Sequence, residues 1–252
     1  MTLAPAVPPR IQFCGPTVIE WNGQRIEGRL PGRQGRVLFA FLVLNRHRMV
    51  GRDELVESLW PGHPTAAMES GLNPLISKLR RILGPESVDG RSTVRLRLAH
   101  DARVDVETAT EAVHRAESRV ALGEFASAWG PSLVALFVAE REFLPGEDGV
   151  WIAEERTLLA DIRLRALEAY AAAAFGTGGT ELPAAVRAGR QLVRLVPLRE
   201  SGYQLLMRAL AAQGNVAEAM RVYADLREVL RDELGVDPCA TSRAVYEDLL
   251  RS

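Results

Sequence analysis

Between Thr65 and Gly84 the chain reads TAAMESGLNPLISKLRRILG, and its apolar residues recur at helical spacing. Met68, Leu72, Leu75, Ile76, Leu79, Ile82 and Leu83 fall on one stripe, which must face a core. The opposite side carries Ser70, Asn73, Ser77, Lys78 and Arg81, with Arg80 flanking. These are short polar groups and cations with no carboxylate among them, a surface suited to a phosphate-bordered groove floored by base edges. A merely solvated helix face can carry the same pattern, so the neighbouring segments decide between the two. Pro74 sits mid-stretch, where it removes a backbone donor and crowds the preceding turn. The apolar stripe keeps its phase across Pro74, which predicts one kinked helix over 65–83 and disfavours a break that restarts with Asn73 as cap.

The flanking segments supply the context. Residues 11–28 read as short strands, with Asn22-Gly23 between TVIEW and QRIE as a hairpin turn whose two central positions need positive φ. RLPGRQGRVLFAFLVLN then changes period, and a largely buried helix is predicted from Gly32 to Asn45. A link, RHRMV, leads to a short helix in GRDELVESLWPG, closed by Trp60 and ended by Pro61-Gly62. After the amphipathic stretch, Gly84-Pro85 stops the helix and ESVDGRSTVRLRLA offers a second hairpin. Asp89-Gly90 makes its turn, and Thr93 to Leu98 alternates apolar residues with Arg95 and Arg97. This order describes a helix-turn-helix with a wing. The second helix braces the third, the third enters the major groove, and the hairpin reaches neighbouring backbone or minor groove.

Charge agrees with that reading. Residues 1–100 hold 14 basic and 8 acidic side chains, whereas the remainder holds 17 and 24. A basic first part beside an acidic second part points the first toward a polyanion. Nearly all the positive charge is arginine, Lys78 being the one lysine. Cys14 and Cys239 lie in no metal-binding or disulfide pattern, as expected in a reducing cytosol. The Pro-rich lead-in MTLAPAVPPR lacks the form of a signal peptide, and the runs VLFAFLVL and LVALFVA are too short to span a bilayer. A cytoplasmic protein is expected. His47, His63, His100 and His114 are scattered, and neither HExxH, GxSxG nor a phosphate loop occurs, so neither an enzyme nor a cofactor is expected. Gly146-Glu147-Asp148-Gly149 lacks the ligand spacing of an EF-hand and reads as a solvated loop.

From about Val104 the chain turns wholly helical, with short connections. Tyr203, Leu206, Met207, Leu210, Gly214-Asn215, Ala219 and Tyr223 fit the ~34-residue tetratricopeptide pattern, and Ala185 and Pro197 fit one period earlier. The expected architecture is an α+β winged helix-turn-helix domain followed by an all-α tetratricopeptide-like helical domain.

With LPGRQGRVLFAFLVLN, RDELVESLWPG and LISKLRRILG, the first part resembles the DNA-binding domain of the actinomycete antibiotic regulatory protein (SARP) family. LLADIRLRALEAYAAAA and RESGYQLLMRALAAQGNVAEAMRVYADLREVLRDELGVDP resemble that family's bacterial transcriptional activator domain. The resemblance implies a flexible lead-in at 1–10, an OmpR-type winged helix at 11–100 and the activator domain at 104–252. It implies an activator of secondary-metabolite genes that binds direct repeats in promoter DNA and contacts RNA polymerase holoenzyme, including its sigma factor, with a homodimer on DNA as a further expectation. Carried onto this chain, the recognition-helix positions are Asn73, Ser77, Lys78, Arg80 and Arg81. The wing positions are Arg91, Ser92, Thr93 and Arg95, and Arg33, Arg36, Arg46, Arg48 and Arg52 become candidates for backbone contact. Lys78 and Arg81 stand foremost, because Arg80 leans toward the core side. Pro74 departs from the family pattern, where a helix former stands. The alternative is a tetratricopeptide interaction scaffold with a vestigial winged helix.

Overall fold

The computed structural model describes residues 8–60 and 65–251. Residues 1–7 of the lead-in expected at 1–10, the helix stop at Pro61-Gly62 and His63 lie outside the described residues. By contacts the chain divides into two compact units, one comprising 1–108 with 141–159, the other 109–140 with 160–252.

The first unit begins with β1 (Arg10–Gln12), β2 (Val18–Trp21) and β3 (Gln24–Arg25). The β2–β3 turn has Asn22 at φ 49° and Gly23 at φ 75°, the two positive values that the Asn-Gly pair predicts. β7 (Arg103–Val104) pairs in parallel with β1, giving the sheet order β3-β2-β1-β7. Helix α1 (Gly32–Leu44) buries Val37 to Val43 without interruption, as its near-continuous apolar sequence requires. A two-residue strand, β4 (Val50–Gly51), leads into α2 (Arg52–Leu59), and α3 (Ala66–Leu83) follows. The hairpin strands β5 (Val88–Asp89) and β6 (Thr93–Leu96) join β4 in a second sheet of order β4-β6-β5. Leu72, Ile76, Leu79 and Leu83 bury the inner stripe of α3 against a core that also holds Leu38, Leu42, Leu55 and Val94.

The segment Arg141–Leu159 completes this unit. Leu144 N–H donates to the Phe13 carbonyl at 2.9 Å and Gly15 N–H to the Glu142 carbonyl at 2.8 Å. Phe13 packs edge-on against Phe39 and Phe143, and Phe143 against Trp151. The Arg156 guanidinium gathers the carbonyls of Phe143, Leu144 and Glu147 at 3.0, 3.0 and 2.9 Å. Glu147 is therefore not a solvated loop residue. It is 5% exposed and is held by Arg33 and Arg36 across more than a hundred residues of sequence, a pairing that no local pattern reports. Asp105 is a second long-range tie, accepting from the N–H groups of Phe13 and Cys14 at 2.9 and 2.8 Å. Burial raises the Asp105 carboxyl above its usual range, against the lowering effect of those backbone donors.

The second unit is helical. It draws on α4 (Asp105–Ala121), α5 (Phe125–Ala139), α6 (Val150–Thr177), α7 (Leu182–Leu195), α8 (Glu200–Ala212), α9 (Val216–Leu234) and α10 (Ala240–Arg251). Helix α8 packs against both α7 and α9, and α10 against α8 and α9. Tyr203, Leu206, Met207, Leu210, Ala219 and Tyr223 all enter one buried cluster. Tyr223 stacks on Tyr246 with ring centroids 4.1 Å apart and planes within 9°, fixing α10 against α9. Arg165 grips Glu117 with two bonds of 2.7 and 2.6 Å, joining α6 to α4.

Candidate nucleic-acid interface

Helix α3 is capped by Thr65, whose hydroxyl accepts from Met68 N–H at 3.3 Å, and by Gly84 at its other end. It runs unbroken through Pro74. Because Pro74 is exposed, its ring occupies the outward face and leaves the buried stripe continuous. Two bonds hold the last turn: the Trp21 indole N–H and the Ser87 hydroxyl both donate to the Leu83 carbonyl, at 3.1 and 2.8 Å. The far sheet and the wing are thereby tied to one end of the helix.

Asn73, Ser77, Lys78 and Arg81 are all exposed on α3. Among the described residues, the side chains of Lys78 and Arg81 make no ion pair or hydrogen bond, nor does that of Arg91 at the wing tip. The last three turns of the helix carry no carboxylate on this face, whereas Glu69 and Asp53 border Asn73 at the other end. Arg80 turns inward: it donates to the Val88 carbonyl at 3.0 Å and to the Gly90 carbonyl, so it fixes the wing to the helix. Arg52, the first residue of α2, does the same from the other side. Its Nη1 reaches the Arg91 carbonyl at 3.2 Å and its Nη2 the Asn73 Oδ1 at 2.7 Å. Arg52, Asn73, Ser77, Arg80, Gly90 and Arg91 thus border one cleft of about 400 Å³ between helix and wing.

The wing is narrow. Gly90 sits at φ +90°, and a Cβ there would lie 1.9 Å from the Thr93 carbonyl oxygen. Ser92 is exposed and Thr93 half-buried. Arg95 lies 3.6 Å from Asp89, which Arg97 also engages.

The other arginines face elsewhere in the unit. Arg33 and Arg36 hold Glu147, the latter at 3.0 Å. Arg46 grips Glu107 with both terminal nitrogens. Arg48 pairs with Glu54, and its guanidinium keeps that carboxyl below the usual range despite partial burial. The structure brings Asn73, Ser77, Arg80, Arg91 and Arg52 together, leaves Lys78 and Arg81 uncommitted beside them, and engages Arg33, Arg36, Arg46 and Arg48 with carboxylates. Sequence reasoning missed the clamping geometry of Arg52, since its two partners lie on α3 and the wing. Among the described residues no group of histidines, cysteines and carboxylates is placed to hold a metal, and no helix is long and apolar enough to cross a membrane.

A model of the bacterial transcriptional activator domain matches residues 102–250. The chain is 33% identical over 246 residues to the regulatory protein AfsR of Streptomyces coelicolor, an alignment covering 96% of this chain and 24% of that one. The chain spans about a quarter of the length of the first curated relatives it matches. It is 29% identical over 261 residues to the transcriptional regulatory protein MoaR1 of Mycobacterium tuberculosis, covering 96% of this chain and 79% of that one. Among solved structures, Mycobacterium tuberculosis EmbR in complex with a low-affinity phosphopeptide superposes with a TM-score of 0.81 at 25% identity, covering 97% of this chain and 65% of EmbR.

Proposed function

Because the chain belongs to the bacterial transcriptional activator domain family, and with it to the antibiotic regulatory proteins, we propose that it is a sequence-specific DNA-binding transcriptional activator. The observation that carries this reading is the outward face of α3. Lys78 and Arg81, which have no side-chain partner among the described residues, stand beside Asn73 and Ser77, with the wing's Arg91, likewise without one among them, alongside and the inward Arg52 and Arg80 holding helix and wing in register. In this reading α3 lies in the major groove, Asn73 and Ser77 meet base edges, Lys78 and Arg81 meet phosphates, and Arg91 and Ser92 reach the flanking backbone. Residues 11–100 serve as the DNA-binding part. The segment from 104 onward serves as a tetratricopeptide-like activator domain that engages RNA polymerase holoenzyme, with its buried Tyr203, Met207, Ala219 and Tyr223 setting the helix packing. The targets are promoters of a secondary-metabolite gene cluster, bound at direct repeats by paired copies in the cytoplasm.

Genome-wide mapping of DNA occupancy tests the proposal. Enrichment at direct repeats upstream of a biosynthetic cluster, with transcription there lost in a Lys78→Ala/Arg81→Ala strain, is the expected result. A profile without enriched sites in cells expressing the protein would overturn it.

A further inference from the structure

Arg52 does more than join helix to wing. A guanidinium offers donors only, so the Asn73 amide must present its oxygen to Arg52, as the 2.7 Å contact from Nη2 to Oδ1 records. The amide is planar, and its NH₂ group is thereby turned away from Arg52. Among the described residues that NH₂ has no partner, and Asn73 is exposed. The second prong of Arg52, donated to the Arg91 carbonyl at 3.2 Å, anchors the guanidinium to the wing and keeps it from following the amide if Asn73 rotates.

We infer that Arg52 is a specificity-determining positioning residue: it fixes the orientation of the Asn73 amide and biases it toward reading a base as a donor. The inference rests on the DNA-binding reading of α3 given above. A free Asn amide reads adenine with two bonds, its NH₂ to N7 and its oxygen from the N6 amino group. Arg52 takes one of the two lone pairs of that oxygen and sets a positive charge beside it, so an adenine N6 amino group, itself the positive end of a dipole, makes a weakened second bond there. Guanine offers two acceptors, N7 and O6, and suits an amide that presents its NH₂ beside the Arg52 cation. The base facing Asn73 is therefore guanine in preference to adenine.

Selection of bound duplexes from a randomised DNA library tests this with the full chain. Asn73→Ala identifies the base pair concerned, as the one position whose preference collapses. Arg52→Ala is expected to move that position alone from guanine toward adenine, by about fivefold or more in the ratio of the two, the lower end of what a paired base contact discriminates. Asn73→Asp places acceptors at the same site and is expected to turn the preference toward cytosine, whose exocyclic amine donates. That variant confirms which base pair Asn73 meets. Arg52→Lys, which keeps the charge but not the two-pronged clamp, is expected to move the same position from guanine toward adenine by a smaller ratio and supports or sinks the inference if Arg52→Ala is poorly folded. A preference at the Asn73 position that folded Arg52→Ala or Arg52→Lys leaves unchanged overturns the inference while the DNA-binding reading stands. Failure of the wild-type chain to select any motif overturns both.

Discussion

Replacing Lys78 and Arg81 with alanine is the most direct measure of how α3 meets DNA. Both side chains are exposed, lie three residues apart on one helix, and spend no charge on a partner among the described residues. Each cation that neutralises a phosphate steepens the salt dependence of binding by about 0.9 in log K against log salt. The double variant should therefore lose about 1.8 of slope relative to wild type. Between 50 and 200 mM salt, a slope of that size corresponds to about a twelvefold difference in how much affinity each protein loses. Fluorescence anisotropy on a labelled duplex across that salt range measures it directly. Folding should be untouched, because exposed, unpartnered residues cost within about 0.5 kcal/mol when truncated. Arg80→Ala is the control. Its guanidinium donates to the Val88 and Gly90 carbonyls, so it should weaken the wing and leave the slope alone. An unchanged slope in the double variant, or a full unit lost in Arg80→Ala, would show that the charges on this helix have been assigned to the wrong roles.

Three further outcomes follow from the geometry. Pro74→Ala restores a backbone donor at an exposed position inside an 18-residue helix and should stabilise the first unit by about 1–3 kcal/mol, read as a shift in the urea midpoint at constant slope. Gly90→Ala forces a Cβ to within 1.9 Å of the Thr93 carbonyl oxygen at φ +90°, and should cost about 1–3 kcal/mol and weaken DNA binding, with helical content retained in circular dichroism. For Glu117, the bond from Arg165 holds the folded carboxyl below its ordinary 4.5, outweighing partial burial. A depressed carboxyl contributes stability above the unfolded value that is lost as pH falls through the folded one. Glu117→Gln should therefore cost up to about 1 kcal/mol at pH 7, discounted because the pair is half open to solvent, and nothing once wild-type Glu117 is itself protonated. Chemical denaturation at both pH values distinguishes this from a packing effect, which would persist in acid.

Much of the first unit could be read from local pattern because each element announces which side it buries. The stripe from Leu72 to Leu83 predicts both the length and the inner face of α3, and the Asn22-Gly23 pair predicts its own turn. The strands β4 and β7 could not be read, since two residues display no alternation and exist only by pairing with β6 and β1. The arginines show the same division. Arg33, Arg36, Arg46 and Arg48 look alike in sequence to Lys78 and Arg81, yet each has a carboxylate partner that lies elsewhere in the unit.

The sequence by itself determined the helical periods, the basic and acidic halves, the turn chemistry and the composition of the outward face of α3, because these depend on residues within one or two turns of each other. Tertiary structure alone decided which cations remain free, which way the Asn73 amide points, and that Glu147 is buried within the first unit. Those outcomes depend on partners from six to more than 100 residues away that the chain's folding brings alongside, and a charge carries no local record of the group that will neutralise it. The outward face of α3 is written in the chain, and its two inward clamps, Arg52 and Arg80, are made by the fold.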